Sequence, residues 1–336
     1  MKKIVILGGG VNGLSSAVKI AEHFHRQDVQ VTLISEDVSP NTTGDVSAGY
    51  WTPFLVEGTS DEKITKWSKS SYDFFHQLWL NGLAEECGIS MIPTYRLTSD
   101  PEGEEAPLWK DVVFGFTKLN SDETARLSRE HNQTYTEGFH YITFCCEPTK
   151  FLPYLMKRFL AAGGRFIKQK INNIDEVSEF DLIVNCTGLG SKEVTNDMKC
   201  FAIRGQVARI KAPWIYCIFN HTDDDGNYII PNTNDVILGG THQVNDYSLE
   251  ISKADSAFIF NGCKKIIPSI ENAEVIKEMV GLRPGRKEIR LETELRRRNA
   301  PIIHNVGHGG SGVTLCWGCS DDVLQLTIEL FKKAKL

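Results

Sequence analysis

The first seventeen residues constrain this chain more than any other stretch. Lys3-Ile4-Val5-Ile6-Leu7 is a short aliphatic run that reads as a buried strand, and Gly8, Gly10 and Gly13 follow it in the spacing G-x-G-x-x-G. An alanine-bearing helical pattern then continues to about His25. The first glycine of such a motif permits a tight turn, and the second lets a pyrophosphate approach the backbone. The third brings helix and strand together, so that the helix N-terminus faces the phosphate charge. A second strand, Gln30 to Ser35, ends at Glu36, the spacing at which a carboxylate meets the adenosine ribose hydroxyls. Glycine-rich turns also arise by accident, but this one lies between strand and helix with an acid after the next strand. That combination argues for a dinucleotide site. Glu36 would repel a 2′-phosphate, which disfavours NADP and leaves FAD or NAD.

The rest of the chain sets limits. A length of 336 residues allows one large or two intertwined domains. A net charge of −6 without long basic runs argues against nucleic acid as a partner. No segment reaches the ~18 apolar residues of a membrane span. The run behind Lys2 and Lys3 is only Ile4 to Leu7, too short for a signal peptide. Nine cysteines, an odd number, fit reduced thiols in an intracellular compartment better than a disulfide framework. Cys316-Trp317-Gly318-Cys319 has redox spacing but no second pair, and Asp223-Asp224-Asp225-Gly226 reads as a solvated turn, so no metal is expected. Ala334-Lys335-Leu336 has the small–basic–leucine pattern of a peroxisomal address, which predicts a peroxisomal import receptor as partner and the peroxisomal matrix as location. The competing reading is the frayed basic end of a helix from Asp321 to Lys335 in a cytoplasmic protein.

Further along, the polar loop Ser39 to Trp51 ends in small residues that suit close approach to a flat ligand. Asp61 to Leu83 has helical apolar spacing, and residues 88–140 alternate short apolar runs with Pro and Gly, which predicts strands. Thr149 to Ala162 reads as a helix closed by Gly163-Gly164. Strands follow at Arg165 to Lys168 and Phe180 to Asn185, the second opening into Cys186-Thr187-Gly188. Strand-like runs then fill residues 204–242, with a helix at Ser252 to Ile267 and a strand at Val275 to Val280. The last unit is a strand over Ile302 to Val306, the glycine cluster Gly307-His308-Gly309-Gly310-Ser311-Gly312, and a C-terminal helix.

Four of these motifs together resemble the FAD-dependent D-amino acid oxidase family, over essentially Lys3 to Lys333. They are Gly8 to Gly13, Thr42-Thr43-Gly44-Asp45-Val46-Ser47-Ala48-Gly49, Gly281-Leu282-Arg283-Pro284, and Gly307 to Gly312. The resemblance implies an α/β fold, a Rossmann-like FAD-binding domain (residues 1–50, 141–195 and 278–336) with an inserted β-rich α+β substrate-binding domain (51–140 and 196–277). It implies that Gly8, Gly10, Val11, Asn12, Gly13, Leu14, Glu36 and Asp37 hold the adenosine diphosphate half of FAD, with Ile171 near the adenine. Thr42, Thr43, Ala48 and Gly49 would line the flavin, and Gly309, Gly310, Gly312, Val313 and Thr314 would aim amides at its N1/C2 edge. Arg283 would clamp the substrate α-carboxylate, Tyr228 would donate its hydroxyl to it, and the Gly310 carbonyl would accept from the α-amine. His308 is read as a structural residue beside the flavin rather than a proton carrier.

The aspartate branch of the family resembles the chain more closely than the neutral branch, on Val184 to Ser191, Arg204-Gly205-Gln206-Val207 and Val280 to Pro284. The expected reaction is therefore oxidative deamination of D-aspartate and D-glutamate, with oxygen as acceptor, to a 2-oxo acid, ammonia and hydrogen peroxide. One departure stands out: where mammalian aspartate oxidases carry two arginines, this chain has His221 and His242, which become the specificity candidates. The alternatives are oxidation of neutral D-amino acids, a glycine-oxidase-like or NAD-linked enzyme, or a catalytically silent flavin-binding protein.

Overall fold

The computed structural model describes residues 1–25, 28–56, 58–223, 226–297 and 299–333. Strand β1 (Lys2–Leu7) runs into helix α1 (Val11–His23), and β2 (Val29–Ser35) pairs with β1 in parallel. A single helical turn, α2 (Thr43–Val46), is fixed by a capping box between Thr42 and Asp45. Helix α3 (Asp61–Leu80) is followed by a separate short α4 (Ala84–Cys87), which Gly88 stops in the left-handed conformation. Strands β3 (Ile89–Thr98), β4 (Phe114–Lys118) and β5 (Glu137–Cys146) form as expected, but α5 (Ser121–Glu130) intervenes where only strands were expected. Its buried positions are just Thr124 and Leu127, too few for an apolar period; the signal is the capping box of Asn120 and Glu123.

The chain continues through α6 (Pro148–Ala161), β6 (Arg165–Lys168), β7 (Leu182–Asn185), α7 (Ser191–Val194) and β8 (Phe201–Lys211). Then come β9 (Ile218–His221), β10 (Tyr228–Pro231), β11 (Val236–Gly239), β12 (Gln243–Val244) and α8 (Lys253–Ile266). Strand β13 (Glu274–Gly285), β14 (Arg290–Glu294), β15 (Ile302–Val306) and α9 (Gly312–Lys333) complete the described chain. Two expectations are corrected here. Strand β13 does not end at Val280: the long β8 opposite it carries the pairing on to Gly285, placing Arg283 opposite Ile203 inside the strand. Pro284 is tolerated there because β13 pairs on one side only and needs no second donor. Helix α9 begins at Gly312, well before Asp321. The tripeptide Ala334-Lys335-Leu336, and Asp224-Asp225 of the acidic turn, lie outside the described residues.

Six strands form one sheet in the order β14-β15-β7-β1-β2-β6, parallel except for the β14–β15 pair. Both faces are covered, which is why its strands are near-continuous aliphatic runs. Ile4, Ile6, Leu33 and Val184 pack toward α1, α6 and α9, while Val5, Leu7, Ile34 and Ile183 pack in a separate cluster on the other face. The larger sheet runs β12-β8-β11-β10-β9-β3-β5-β4, with β13 on the other side of β8. Ala208, Ile229 and Leu238 pack against Ile259 and Cys263 of α8, and their neighbours Val207, Tyr228 and Ile237 cluster with Val46 and Ala48 on the opposite face. The expected changeovers at residues 140 and 277 fall inside β5 and β13, both strands of this larger sheet. Among the described residues, no helix is long and apolar enough to cross a membrane.

Candidate active site

The carboxyl ends of β1, β2, β7 and β15 deliver four loops to one edge of the parallel sheet, where α/β proteins bind ligands. A cavity of about 740 Å³ runs along that edge and ends against the larger sheet. Gly8, Gly10, Val11 and Asn12 line it from the first loop, Glu36 and Asp37 from the second, Thr187 to Gly190 from the third, and His308 to Gly310 with Gly312 and Val313 from the fourth. The three motif glycines have three different reasons. Gly8 has φ +105°, and a side chain on it would stand 2.4 Å from the Cys186 carbonyl oxygen. A Cβ on Gly13 would sit 1.8 Å from the Gly8 oxygen, so this glycine is what lets α1 approach β1. A Cβ on Gly10 would meet no protein atom within 4 Å. The space that only a glycine leaves there is open to a ligand.

The expected cofactor residues divide into two groups. Thr42, Thr43, Ala48 and Gly49 stand on the cavity wall. Buried Asp45 fixes that segment, accepting from the Thr42 amide at 2.9 Å, the Thr42 hydroxyl at 2.7 Å and the Ser39 hydroxyl at 2.6 Å. Gly13, Leu14, Ile171 and Thr314 stand behind the wall. Leu14 is in the core, Ile171 packs beside the Val5–Ile34 cluster, and the Thr314 hydroxyl bonds the Thr52 carbonyl at 3.0 Å. Glu36 is ion-paired with Lys170 at 3.3 Å on the surface. Buried polar atoms with no hydrogen-bond partner among the described residues (Asn12 Oδ1, Ser47 Oγ, Thr52 Oγ1 and His308 Nε2) belong to residues on or beside this wall. Buried orphans of this kind are costly, and a ligand rich in donors and acceptors would satisfy them. With two helix N-termini, α1 and α9, ending at the cavity and the gap at Gly10, the site fits a dinucleotide with its pyrophosphate over the first loop. Burial lowers the pKa of His308 to about 3, so its imidazole is neutral.

At the far end Arg283 and Tyr228 meet. The Arg283 Nη1 donates to the Thr241 carbonyl at 2.9 Å, and among the described residues no carboxylate comes within 4.0 Å of its guanidinium. Burial raises the pKa of the Tyr228 phenol and the adjacent Arg283 pulls it back; Tyr228 stays a protonated donor. Glycines make room for both side chains. A Cβ on Gly205 would stand 2.3 Å from Arg283 Nη1, and one on Gly239 or Gly240 would stand 2.4 or 2.5 Å from the Tyr228 hydroxyl. Gly310 is exposed on the cavity wall beside the Phe54 ring. His242 lines the cavity with its ring edge-on to Phe54 at 6.2 Å. His221 also lines it, but its Nε2 is committed to Asp223 at 2.9 Å and to the Ser99 hydroxyl at 3.1 Å.

Sequence reasoning missed Arg96, Asn220 and Phe54 on this wall, and the packing roles of Gly205, Gly239 and Gly240. Only Gly205 lies in a quoted motif, Arg204-Gly205-Gln206-Val207. The one available signal was glycine at strand positions, which marks close approach of another group.

The comparisons agree with this geometry. A family model described as FAD dependent oxidoreductase (DAO) matches residues 3–326. The chain is 39% identical to a D-amino acid oxidase of Dugesia ryukyuensis, with 99% of each chain covered. It is 35% identical to the D-aspartate oxidase of Homo sapiens, over 97% of this chain and 95% of that one. A glycine oxidase structure from Geobacillus kaustophilus superposes with a TM-score of 0.80 at 15% identity, covering 98% and 95% of the two chains, and so shares the fold. A dinucleotide cradle along the parallel sheet edge, opening onto an arginine and a tyrosine on a second sheet, is thus matched by sequence likeness from end to end, and the chain belongs to the DAO family of FAD-dependent oxidoreductases.

Proposed function

We propose that the protein is an oxidase that deaminates D-amino acids, acidic ones by preference, to the 2-oxo acid, ammonia and hydrogen peroxide. The observation that carries this reading is Arg283: a guanidinium facing the cavity with no carboxylate within 4.0 Å among the described residues, beside a protonated Tyr228. An unmatched charge in a half-buried site calls for an anion, and the planar fork favours a carboxylate. Bound FAD would accept the hydride from the substrate Cα and return the electrons to oxygen.

The chain's own residues orient and exclude. Arg283 would take the α-carboxylate by its fork and Tyr228 would donate its hydroxyl to the same group. The Gly310 carbonyl would accept from the α-amine. Phe54, packed over Gly310, would keep bulk water from the reacting face. His308, neutral and buried, would offer a hydrogen bond to the cofactor rather than carry a proton. Gly8, Gly10, Val11, Asn12, Glu36 and Asp37 would hold the adenosine diphosphate part, Gly13 and Leu14 acting through packing. Thr42, Thr43, Ala48, Gly49, Gly309, Gly312 and Val313 would hold the ring.

Acidic preference is supported by the basic wall of Arg96, His221 and His242 and by likeness to a D-aspartate oxidase. A second reading, neutral D-amino acids, is favoured by the pairing of His221 with Asp223 and of Arg96 with Glu104, which leaves less net positive charge there. A peroxide assay across D-Asp, D-Glu, D-Ala and D-Met separates the two. Peroxide with none of them, from protein carrying flavin, would leave the silent flavin-binding alternative. Peroxisomal import remains part of the proposal; removal of Ala334-Lys335-Leu336 should abolish it in a cell import assay.

A further inference from the structure

Arg96 has no part in clamping the α-carboxylate, yet it lines the same cavity. Strand β3 pairs in parallel with β9 so that Arg96 faces Asn220, and Asn220 faces Tyr228 across β9 and β10. Residues paired directly across strands project from one face. Arg96, Asn220 and Tyr228 therefore form a row along the cavity wall. With strands about 4.8 Å apart, the backbone of Arg96 stands roughly 10 Å from that of Tyr228. A short substrate held by its α-carboxylate at Tyr228 and Arg283 can extend its side chain over Asn220 toward Arg96.

Glu104 holds one edge of the guanidinium. Arg96 Nε lies 3.0 Å from both carboxylate oxygens of Glu104, and Nη2 also donates to that carboxylate. Thr222 steadies Glu104 with a hydroxyl bond at 3.2 Å, and the Trp109 ring lies 6.0 Å from the guanidinium carbon. The Tyr141 hydroxyl, bonded to that of Tyr50 at 2.5 Å, also hydrogen-bonds the Arg96 guanidinium. Among the described residues, Nη1 has no hydrogen bond to a carboxylate. An arginine fork has a second edge that matches a second planar anion. The neighbouring His221 does not compete for that anion, because its Nε2 is already committed to Asp223.

We propose that Arg96 is the specificity-determining residue for a side-chain carboxylate, and that Glu104 positions its fork while limiting how tightly a second carboxylate binds. The proposal rests on the D-amino acid oxidase reading for its substrate, but not for its binding chemistry. A dicarboxylate should therefore bind better than the matching monocarboxylate, and the two variants should move that preference in opposite directions.

The test uses the flavin-loaded full chain as wild type, Arg96→Gln and Glu104→Gln. Succinate and propionate are titrated by the change in flavin absorbance, and kcat/KM is measured for D-Asp and D-Ala. Arg96→Gln should lower the succinate-to-propionate preference and the D-Asp-to-D-Ala ratio by at least about tenfold, as expected for loss of one partner of a desolvated charge pair. Glu104→Gln should raise both ratios several-fold, by removing the competing negative charge, and it decides the matter if Arg96→Gln does not load flavin. Ratios unchanged in Glu104→Gln and in a folded Arg96→Gln would overturn the proposal, as would equal losses for both ligand classes. If the wild type prefers succinate and the variants shift that preference, but no D-amino acid is oxidised, Arg96 stands as a dicarboxylate-binding residue and the oxidase reading falls.

Discussion

Gly205→Ala tests the site through the backbone against which Arg283 packs. The new methyl carbon would lie 2.3 Å from Nη1 and 2.5 Å from Cζ and Nη2 of Arg283. Favourable contacts of this kind lie at about 3.5–4.0 Å, so the guanidinium must retreat by roughly 1 Å. Because the clash is with the free end of a flexible side chain, and Gly205 is not among the positive-φ glycines, the fold can accept alanine. Replacing glycine inside a strand stabilises by about 0.5–1 kcal/mol where the backbone allows it, which offsets part of the crowding. The functional cost is much larger. A misplacement of about 1 Å at a positioning group costs up to ~100-fold, or about 2.7 kcal/mol of transition-state stabilisation. Initial rates of peroxide formation should show kcat/KM for D-amino acids down by about 30- to 100-fold, with flavin content retained and Tm within a few degrees of wild type. In an Arg283→Ala background the same substitution should cost less than about twofold, since the two changes act on one contact. An equal loss in both backgrounds would refute the coupling, and wild-type activity in the single variant would refute the placement of Arg283.

Gly10→Val should empty the flavin site while leaving the apoprotein folded, because its side chain meets no protein atom near Cβ; a valine variant with full flavin absorbance would sink the pyrophosphate assignment. Arg283→Lys and Arg283→Ala should both keep FAD and lose at least about 100-fold in kcat/KM for every D-amino acid, the lysine keeping charge without the fork. Activity lost on D-Asp alone, with D-Ala spared, would make Arg283 a side-chain residue instead. Burial lowers the pKa of His131 to about 4 and of His308 to about 3, against about 6.5 in the unfolded chain. Their neutral forms stabilise the fold fully above about pH 6.5, and that contribution is lost as pH falls toward 4 and 3, at up to about 1.4 kcal/mol per pH unit for each histidine. Urea unfolding of His131→Gln between pH 6.5 and 4.5 should show a shallower loss of stability than wild type; an identical slope would remove His131 from the account.

The parallel sheet and its ligand edge were legible in the sequence because their signals are local. An aliphatic run must be buried, three glycines at fixed spacing can satisfy a turn, a phosphate and a helix–strand contact at once, and each acts within about ten residues of the next. Arg283 was singled out only by resemblance, through Gly281-Leu282-Arg283-Pro284. Helix α5 was not legible, since it buries two residues and announces itself only by a cap. Tertiary structure alone decided how residues far apart in the chain face one another. Strand pairing set Arg96 in a row with Asn220 and Tyr228, and the fold brought Asp223 onto His221. It also laid Arg283 over Gly205. Register is a property of two strands, and a strand's own residues specify only which of its faces is buried. The sequence by itself therefore determined the cofactor cradle, and the packing of distant strands decided which charges on the cavity wall are paired with one another.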